Sequence, residues 1–249
     1  MSNEGDLSRL SAREFAARVR QEMVPLSNTC GYFAAMPLSE EDMRGYLEEP
    51  TGALPPAVQS LLGGLFILLA PYLELGSQPG EESVTFEKPA SGREAWAAQF
   101  PLEGLATLVF AIKDQQAAEY HYVFYRAVAT LVEAGLSEEG RERFYGLLRE
   151  ELRSAVAGEV DQGGWELKQA LRRRQKKFAR DSKLFRDYAR QACIDTLTLY
   201  LHGICCDIDV EAGPRQLPSR PLRKRLQVFF ELFPPPQGYA VFPEHLSTT

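Results

Sequence analysis

The sequence lacks the short motifs by which common enzyme classes are recognised. It contains no Gly-x-Gly-x-x-Gly dinucleotide motif, no Gly-Lys-Ser/Thr phosphate loop, no Gly-x-Ser-x-Gly nucleophile elbow and no His-Glu-x-x-His zinc motif. These absences weigh against the common nucleotide-binding enzymes, serine hydrolases and metalloproteases, although they do not exclude enzymes in general. The sequence therefore names no reaction.

The chain also has few cysteines and no long hydrophobic run. There are four cysteines and no secretory signal, because residues 1–6 are acidic rather than apolar, so we expect free thiols and a cytoplasmic protein. The longest apolar run covers residues 61–73 and includes Gly63, Gly64 and Pro71. It falls short of the ~20 residues that a membrane-spanning helix needs. We therefore predict no membrane association.

Charge is distributed unevenly along the chain. Residues 1–164 carry 13 Lys and Arg against 25 Asp and Glu, whereas residues 165–249 carry 15 against 9, and the net charge is −6. An acidic chain disfavours wholesale nucleic-acid binding, but a local basic site is compatible with it. The asymmetry indicates an acidic body that contains one basic element.

Helical patterns dominate and predict the fold class. Ser11 and Glu14 have the spacing of a capping box, residues 117–135 repeat apolar side chains every three or four positions, and Ser137 marks the start of the next helix. Residues 57–75 are predicted to form a mostly buried helix interrupted near Pro71. We therefore predict a mainly α fold, close to the all-α class. The protein would be a single globular multi-helix domain with at most a small β element.

Several shorter segments are more ambiguous. Residues 83–86 alternate polar and apolar side chains, which is typical of a short strand, whereas residues 107–112 fit a strand or a helix. Ser91 and Glu94 are spaced as the cap of another short helix. Residues 192–201 are apolar on nearly all sides, and we predict a helix there with a strand as the alternative.

The domain prediction rests on glycine and proline. We expect a helical domain at residues 1–233, with Gly163 and Gly164 as a candidate hinge. Three consecutive prolines at 234–236 cannot continue the preceding helix. Residues 234–249 are therefore predicted to form a Pro-rich extended C-terminal tail.

The most distinctive feature is the basic stretch at residues 165–191, which holds ten basic and only three acidic side chains. At ~100° per residue, eight of its ten basic side chains fall on one side of a helix and most of its apolar side chains on the other, whereas Arg174 and Asp181 interrupt the apolar side. We predict one continuous amphipathic helix from Trp165 to Gln191, packed on the body through its apolar side. The predicted partner-binding residues are Lys168, Arg172, Arg173, Lys176, Arg180, Lys183, Arg186 and Arg190.

Several interpretations of this basic helix stay open. It could be a solvated surface helix, or it could dock an acidic protein surface, including that of a second copy of the chain. It could also contact nucleic-acid phosphates together with Arg223, Lys224 and Arg225. Membrane insertion fits poorly, because the apolar side is rich in alanine.

His202, Cys205 and Cys206 share one helical face at positions i, i+3 and i+4. Imidazole and thiolate are zinc ligands, so the three residues are weak metal candidates. Adjacent cysteines seldom bind one ion, and the core-like neighbours favour simple burial. We therefore predict no metal and no other cofactor.

Together these features favour a non-enzymatic protein. The predicted function is a helical interaction or regulatory module that docks an acidic macromolecular surface through the basic helix. The alternatives are a nucleic-acid-binding protein that uses the same basic side, and an enzyme with a metal or thiol site near His202 and Cys206. A homo-oligomer is compatible with binding to an acidic protein surface and with binding to nucleic acid.

Overall fold

The computed structural model describes residues 9–78, 80–174, 181–206 and 217–242. The chain divides into two compact units. Unit 1 comprises Met1–Gly52 and Gln59–Ala127, and unit 2 comprises Ala53–Val58 and Val128–Thr249. The described part of the chain contains no helix that is both long and apolar enough to cross a bilayer.

Nine α-helices and eight strands are found in the described residues. The helices are α1 (Ala12–Val19), α2 (Glu40–Met43), α3 (Glu49–Gly52), α4 (Pro56–Leu62), α5 (Ala117–Gly135), α6 (Glu138–Arg153), α7 (Gln162–Arg174), α8 (Lys183–Cys206) and α9 (Ser219–Leu232). A 3-10 turn, Arg20–Glu22, follows α1, and a π-helical segment, Arg44–Glu48, joins α2 to α3. The strands are β1 (Val24–Pro25), β2 (Cys30–Ala34), β3 (Leu65–Ala70), β4 (Tyr72–Glu74), β5 (Ser83–Thr85), β6 (Glu94–Ala95), β7 (Ala97–Leu102) and β8 (Leu105–Ala111).

The prediction of a mainly α fold, and with it the all-α description, is wrong. Helices account for 54% and strands for 16% of the structure, and the strands form two sheets. A five-stranded mixed sheet has the order β1-β2-β3-β8-β7, and a three-stranded sheet has the order β5-β4-β6. The protein therefore has a substantial α/β fold.

The centre of the five-stranded sheet explains the wrong prediction. Strands β2, β3 and β8 are parallel, with Ile67 paired to both Tyr32 and Leu108, and β1 and β7 are antiparallel edges. Ile67 and Leu69 of β3 are fully buried. A parallel strand covered on both faces is apolar at nearly every position, so its sequence resembles that of a buried helix.

The predicted helix at residues 57–75 therefore covers two kinds of structure. Helix α4 ends at Leu62, and Gly63 and Gly64 adopt φ angles of +65° and +151°, which favour glycine and end the helix. The chain then continues as β3 and β4. The ambiguous segment at residues 107–112 likewise lies mostly in strand β8.

The three-stranded sheet confirms one prediction and corrects another. The predicted strand at residues 83–86 is present as β5, which pairs antiparallel with β4. The predicted helix cap at Ser91 is wrong, because residues 91–93 make a turn into β6. There the carboxylate of Glu94 accepts a hydrogen bond from the Gly92 amide at 2.7 Å.

Helix α1 covers the core of unit 1. Its predicted capping box is confirmed: Ser11 Oγ accepts from the Glu14 amide at 3.2 Å, and Glu14 Oε2 accepts from the Ser11 amide at 2.9 Å. Phe15 is fully buried, and its ring lies 5.9 Å from that of Phe33 in β2, measured between centroids. Capping fixes where the helix begins, and therefore which side chains face the core.

Unit 2 is helical and is organised around α8, which packs against α6, α7 and α9. Residues 192–201 belong to α8, so the helix prediction is confirmed and the strand alternative is not. The predicted helix at residues 117–135 is confirmed as α5, and the predicted helix start at Ser137 is confirmed as the start of α6.

The predicted C-terminal tail and the candidate hinge are partly packed. In the tail, Val241 and Phe242 are buried, whereas Tyr239 is 40% exposed. Gly163 and Gly164 lie inside α7.

The prediction of one continuous basic helix from Trp165 to Gln191 is wrong. Helix α7 ends at Arg174, Asp181 and Ser182 are not helical, and α8 begins at Lys183. Ser182 acts as the cap of α8, because its Oγ accepts from the Phe185 amide at 3.1 Å. The basic run thus contains a helix start, and α7 and α8 pack against each other.

Candidate functional site

A buried network of charged side chains lies inside unit 2. Arg225 from α9 meets Glu151 from α6 and Glu159 from the connection between α6 and α7, and Lys168 of α7 and Tyr188 of α8 complete the group. Lys168, Tyr188 and Arg225 are fully buried, and the two glutamates are at most 5% exposed. The network therefore links four helices through their inner faces.

The guanidinium of Arg225 is the centre of this network. It donates to Glu151 from Nε at 3.0 Å and from Nη2 at 2.5 Å, and to Glu159 from Nη1 at 2.7 Å and from Nη2 at 2.9 Å. Paired donation of this kind to two carboxylates fixes the orientation of the guanidinium plane as well as its position. Arg225 consequently locks α9 against α6.

Glu159 accepts two further hydrogen bonds. Lys168 Nζ donates to Glu159 Oε1 at 2.9 Å and to the Gly158 carbonyl at 2.7 Å, and the Tyr188 hydroxyl donates to Glu159 Oε1 at 2.5 Å. Two cations and two carboxylates leave the network without net charge. This balance is what allows ionised groups to stay buried.

The pKa values in the network follow from burial and from these partners. Burial by itself raises the pKa of Glu159, but the charge and hydrogen bonds of Arg225 outweigh it, and with Lys168 they lower this pKa to about 2. Burial lowers the pKa of Lys168, and the Glu159 carboxylate partly opposes that shift. A carboxylate with such a low pKa and filled acceptor sites is a poor general base, so the network serves architecture rather than proton transfer.

A basic cavity lies on the α9 surface beside this network. Its volume is about 490 Å³, and its described lining is Ser219, Arg220, Arg223, Lys224 and Gln227. A smaller cavity of about 210 Å³ shares Arg220 and Lys224 and is also lined by Glu151 of the buried network. Glu150 also lines this smaller cavity, so Arg220 and Lys224 border acidic side chains of α6 as well as the basic cavity.

The described lining of the larger cavity carries charge of one sign. Three of its described residues are cations and none is acidic, and no acidic residue lies in the first turn of α9. Within the described ranges, neither Arg220 nor Lys224 has a carboxylate at ion-pair distance. The Arg223 guanidinium lies over the Phe242 ring, 4.5 Å from its centroid. Because the amino end of a helix also carries partial positive charge, this surface favours anions.

The structure separates the partner-binding residues predicted from the basic stretch. Lys168 is buried in the network, and Arg172 donates to the Val156 carbonyl at 2.9 Å. On α8, Arg186 donates to the Asp181 carbonyl at 2.7 Å, and Arg190 pairs with Glu133 at 3.1 Å. Arg173 and Lys183 are exposed, whereas Lys176 and Arg180 lie outside the described residues. The six residues of this set that the structure describes do not form one basic face.

The candidate metal residues lie at the end of α8. Cys205 and Cys206 are partly exposed, and neither forms a disulfide. Among the residues that the structure describes, the ligand atoms of His202, Cys205 and Cys206 do not all lie within 4.8 Å of one another. The spacing in sequence therefore does not bring these three residues into one ligand set.

The basic neighbours of Arg225 and Lys168 in sequence predict that both residues are exposed, which is wrong, because both are fully buried. The periodicity contains a different signal: Arg225 follows Leu222 by three residues and precedes Phe229 by four, and all three are buried. A charged residue within an apolar helical stripe predicts a buried ion pair. The carboxylate partner cannot be read from that stripe, since Glu159 is 66 residues away in sequence.

Comparison with known proteins assigns neither a family nor a function to the chain. No protein-family model, curated protein or solved structure matches the chain. Inferences about function therefore rest on the described residues.

Proposed function

We propose that the protein is an interaction module whose α9 surface binds an acidic segment of a partner protein. The observation that carries this proposal is that Arg220 and Lys224 are exposed, lack carboxylate partners in the described structure, and line the same cavity as Arg223. This surface takes the place of the continuous basic helix on which the sequence-based prediction depended.

The buried network supports this role because it holds the cations in place. Arg225 anchors α9 from its inner face, so the neighbouring outward residues Arg220 and Lys224 are presented by a fixed helix. Binding to a preorganised surface loses less conformational entropy than binding to a flexible one. A guanidinium can also bind a carboxylate through two parallel hydrogen bonds, which favours Asp and Glu side chains as ligands.

An acidic peptide fits this surface better than a nucleic-acid duplex does. Duplex binding proteins commonly contact many phosphates along an extended basic surface. Here Arg225 is withdrawn into the interior, which leaves Arg220, Arg223 and Lys224 on α9. The chain as a whole carries a net charge of −6, which opposes the approach of a long polyanion more than that of a short peptide.

Fluorescence anisotropy with two labelled probes tests the proposal: a hexaglutamate peptide and a random duplex of DNA. We expect the peptide to bind at low salt, the duplex to bind at least tenfold more weakly, and Arg220→Glu/Lys224→Glu to abolish peptide binding. The matched control is Arg173→Glu/Lys183→Glu, which reverses two exposed cations on α7 and α8. Equal loss in the control pair, or tighter binding of the duplex, would contradict the proposal.

Sedimentation of the unliganded protein shows whether the α9 surface binds a second copy of the chain or a different protein. If the acidic part of another copy occupies the α9 surface, the wild-type protein dimerises at low salt and Arg220→Glu/Lys224→Glu stays monomeric. If the occupant is a different protein, both remain monomeric while their peptide affinities differ.

A further inference from the structure

Two thiols lie side by side at the carboxyl end of α8. Cys205 and Cys206 are the last two residues of this helix, and both are partly exposed, whereas Ile204 before them is only 3% exposed. The pair therefore stands where α8 leaves the core of unit 2. Both thiols are accessible from solvent, unlike the buried thiols of Cys30 and Cys193.

The separation of the two sulfurs brings them within reach of one ion. Neighbouring side chains on a helix diverge by ~100°, which is why adjacency in sequence weighs against a shared ligand. In this structure, however, the Sγ atoms of Cys205 and Cys206 lie within 4.8 Å of each other. Two metal–sulfur bonds of about 2.3 Å span at most ~4.6 Å. The upper limit of the sulfur separation thus nearly equals the span of a site with two sulfur ligands.

A disulfide between these two residues is disfavoured. Consecutive Cα atoms across a trans peptide are about 3.8 Å apart, whereas the Cα atoms of disulfide-bonded cysteines are usually ~4.4–6.8 Å apart. Closing the bond would therefore distort the last turn of α8, and a strained disulfide is easily reduced. The pair consequently stays available as two thiols.

The end of α8 also favours a positively charged ligand. The carboxyl end of a helix carries partial negative charge. The last turn of α8 contains no lysine or arginine, so no side-chain cation of that turn competes with a bound ion. Charge and sulfur chemistry therefore point to a cation that prefers thiolates.

The kind and number of the ligands select the ion. Thiolates are soft ligands that suit Cu(I), zinc and iron–sulfur clusters, whereas magnesium and calcium prefer oxygen. Structural zinc sites and iron–sulfur clusters generally take four protein ligands. Cys205 and Cys206 supply two sulfurs, and Cu(I) forms stable complexes with two thiolates alone.

We propose that Cys205 and Cys206 form a dithiolate site for Cu(I). Each thiol gives its proton to solvent as its copper–sulfur bond forms, so the binding of one Cu(I) releases two protons and leaves a complex with one negative charge. Copper stays in the +1 state and neither sulfur is oxidised. The site is independent of the α9 surface, and its test involves neither peptide nor duplex.

Competition with the Cu(I) chelator bathocuproine disulfonate measures this binding in the full-length protein under anaerobic, reducing conditions. We expect the wild-type protein to retain one Cu(I) per chain. Because the second thiolate binds within the same molecule, joint ligation raises the affinity by roughly 10²–10⁴. Cys205→Ser and Cys206→Ser should therefore each lower the affinity for Cu(I) at least hundredfold, with melting temperatures of the copper-free proteins close to that of the wild type.

Stoichiometry and a matched control distinguish a shared ion from separate binding at each thiol. If the two thiols act separately, the wild-type protein takes up two Cu(I) and each serine variant takes up one with unchanged affinity, which overturns the proposal. Cys193→Ala removes a buried thiol of the same helix and should leave the Cu(I) affinity unchanged, whereas a loss equal to that of the serine variants contradicts the assignment.

X-ray absorption spectroscopy of the wild-type copper complex needs no variant. We expect two copper–sulfur bonds for each bound copper, because both thiolates ligate the same ion. A single copper–sulfur bond overturns the proposal even where a serine variant fails to fold.

Discussion

Replacing Arg225 with methionine tests the buried network most sharply. Methionine keeps an unbranched apolar stem but has no guanidinium, so Arg225→Met leaves Glu151 and Glu159 in the interior without their main cation. Removing one partner of a buried ion pair typically costs about 3–5 kcal/mol, because the remaining charge is uncompensated. We therefore expect unit 2 to lose about that much free energy of unfolding at pH 7.

The same variant has a distinctive pH dependence. In the wild-type protein the pKa of Glu159 is lowered to about 2, against about 4.3 for an ordinary glutamate. The folded pKa lies below the unfolded one, so this group stabilises the protein fully above pH ~5 and loses its contribution, about 3 kcal/mol, as the pH falls towards 2. Arg225→Met removes the main cause of the shift, so the stability difference between variant and wild type should narrow as the pH falls.

Urea unfolding followed by tryptophan fluorescence measures this effect. In a Trp96→Phe background, Trp165 of α7 is the only tryptophan and reports on unit 2. Titrations at pH 7, 5 and 3.5 give the free energy of unfolding for wild type and Arg225→Met. A loss below about 1 kcal/mol at pH 7, or a difference that is constant with pH, would refute the reasoning.

Two further predictions concern the cysteines and the start of α8. Burial raises the pKa of Cys30 to about 12 and also raises that of Cys193, so iodoacetamide at pH 8 should alkylate the partly exposed Cys205 well before either, as mass spectrometry of the peptides would show; equal rates at Cys30 and Cys205 would contradict the burial argument. Ser182→Ala should destabilise unit 2 by about 1 kcal/mol in urea titrations because the α8 cap is lost, whereas no change would mean that the Ser182 hydroxyl does not cap this helix.

Local signals predicted several elements correctly, and nonlocal pairing explains the main errors. The Ser11 capping box and the apolar spacing along α5 depend on residues within a few positions of each other, so a single sequence contains them. Strand β3 depends on pairing with β2 and β8. Its burial on both faces removes the alternation of polar and apolar residues that identifies a strand.

The candidate sites were harder to predict for the same reason. The excess of positive charge in the last third of the chain was evident, but not which cations are buried: Lys168 and Arg225 pair with Glu159, whereas Arg220 and Lys224 stay exposed. Burial depends on helix packing between distant segments. The Ser182 cap, by contrast, is a local signal, and it predicts a helix start within the basic run.

A charge-reversal experiment tests the proposed interaction surface most directly. Anisotropy is measured for hexaglutamate and hexalysine peptides with the wild-type protein and with Arg220→Glu/Lys224→Glu. If α9 carries the binding surface, the variant loses hexaglutamate and binds hexalysine at least tenfold more tightly than the wild type does. If reversal at Arg220 and Lys224 leaves both affinities unchanged, the acidic segment does not bind at this surface.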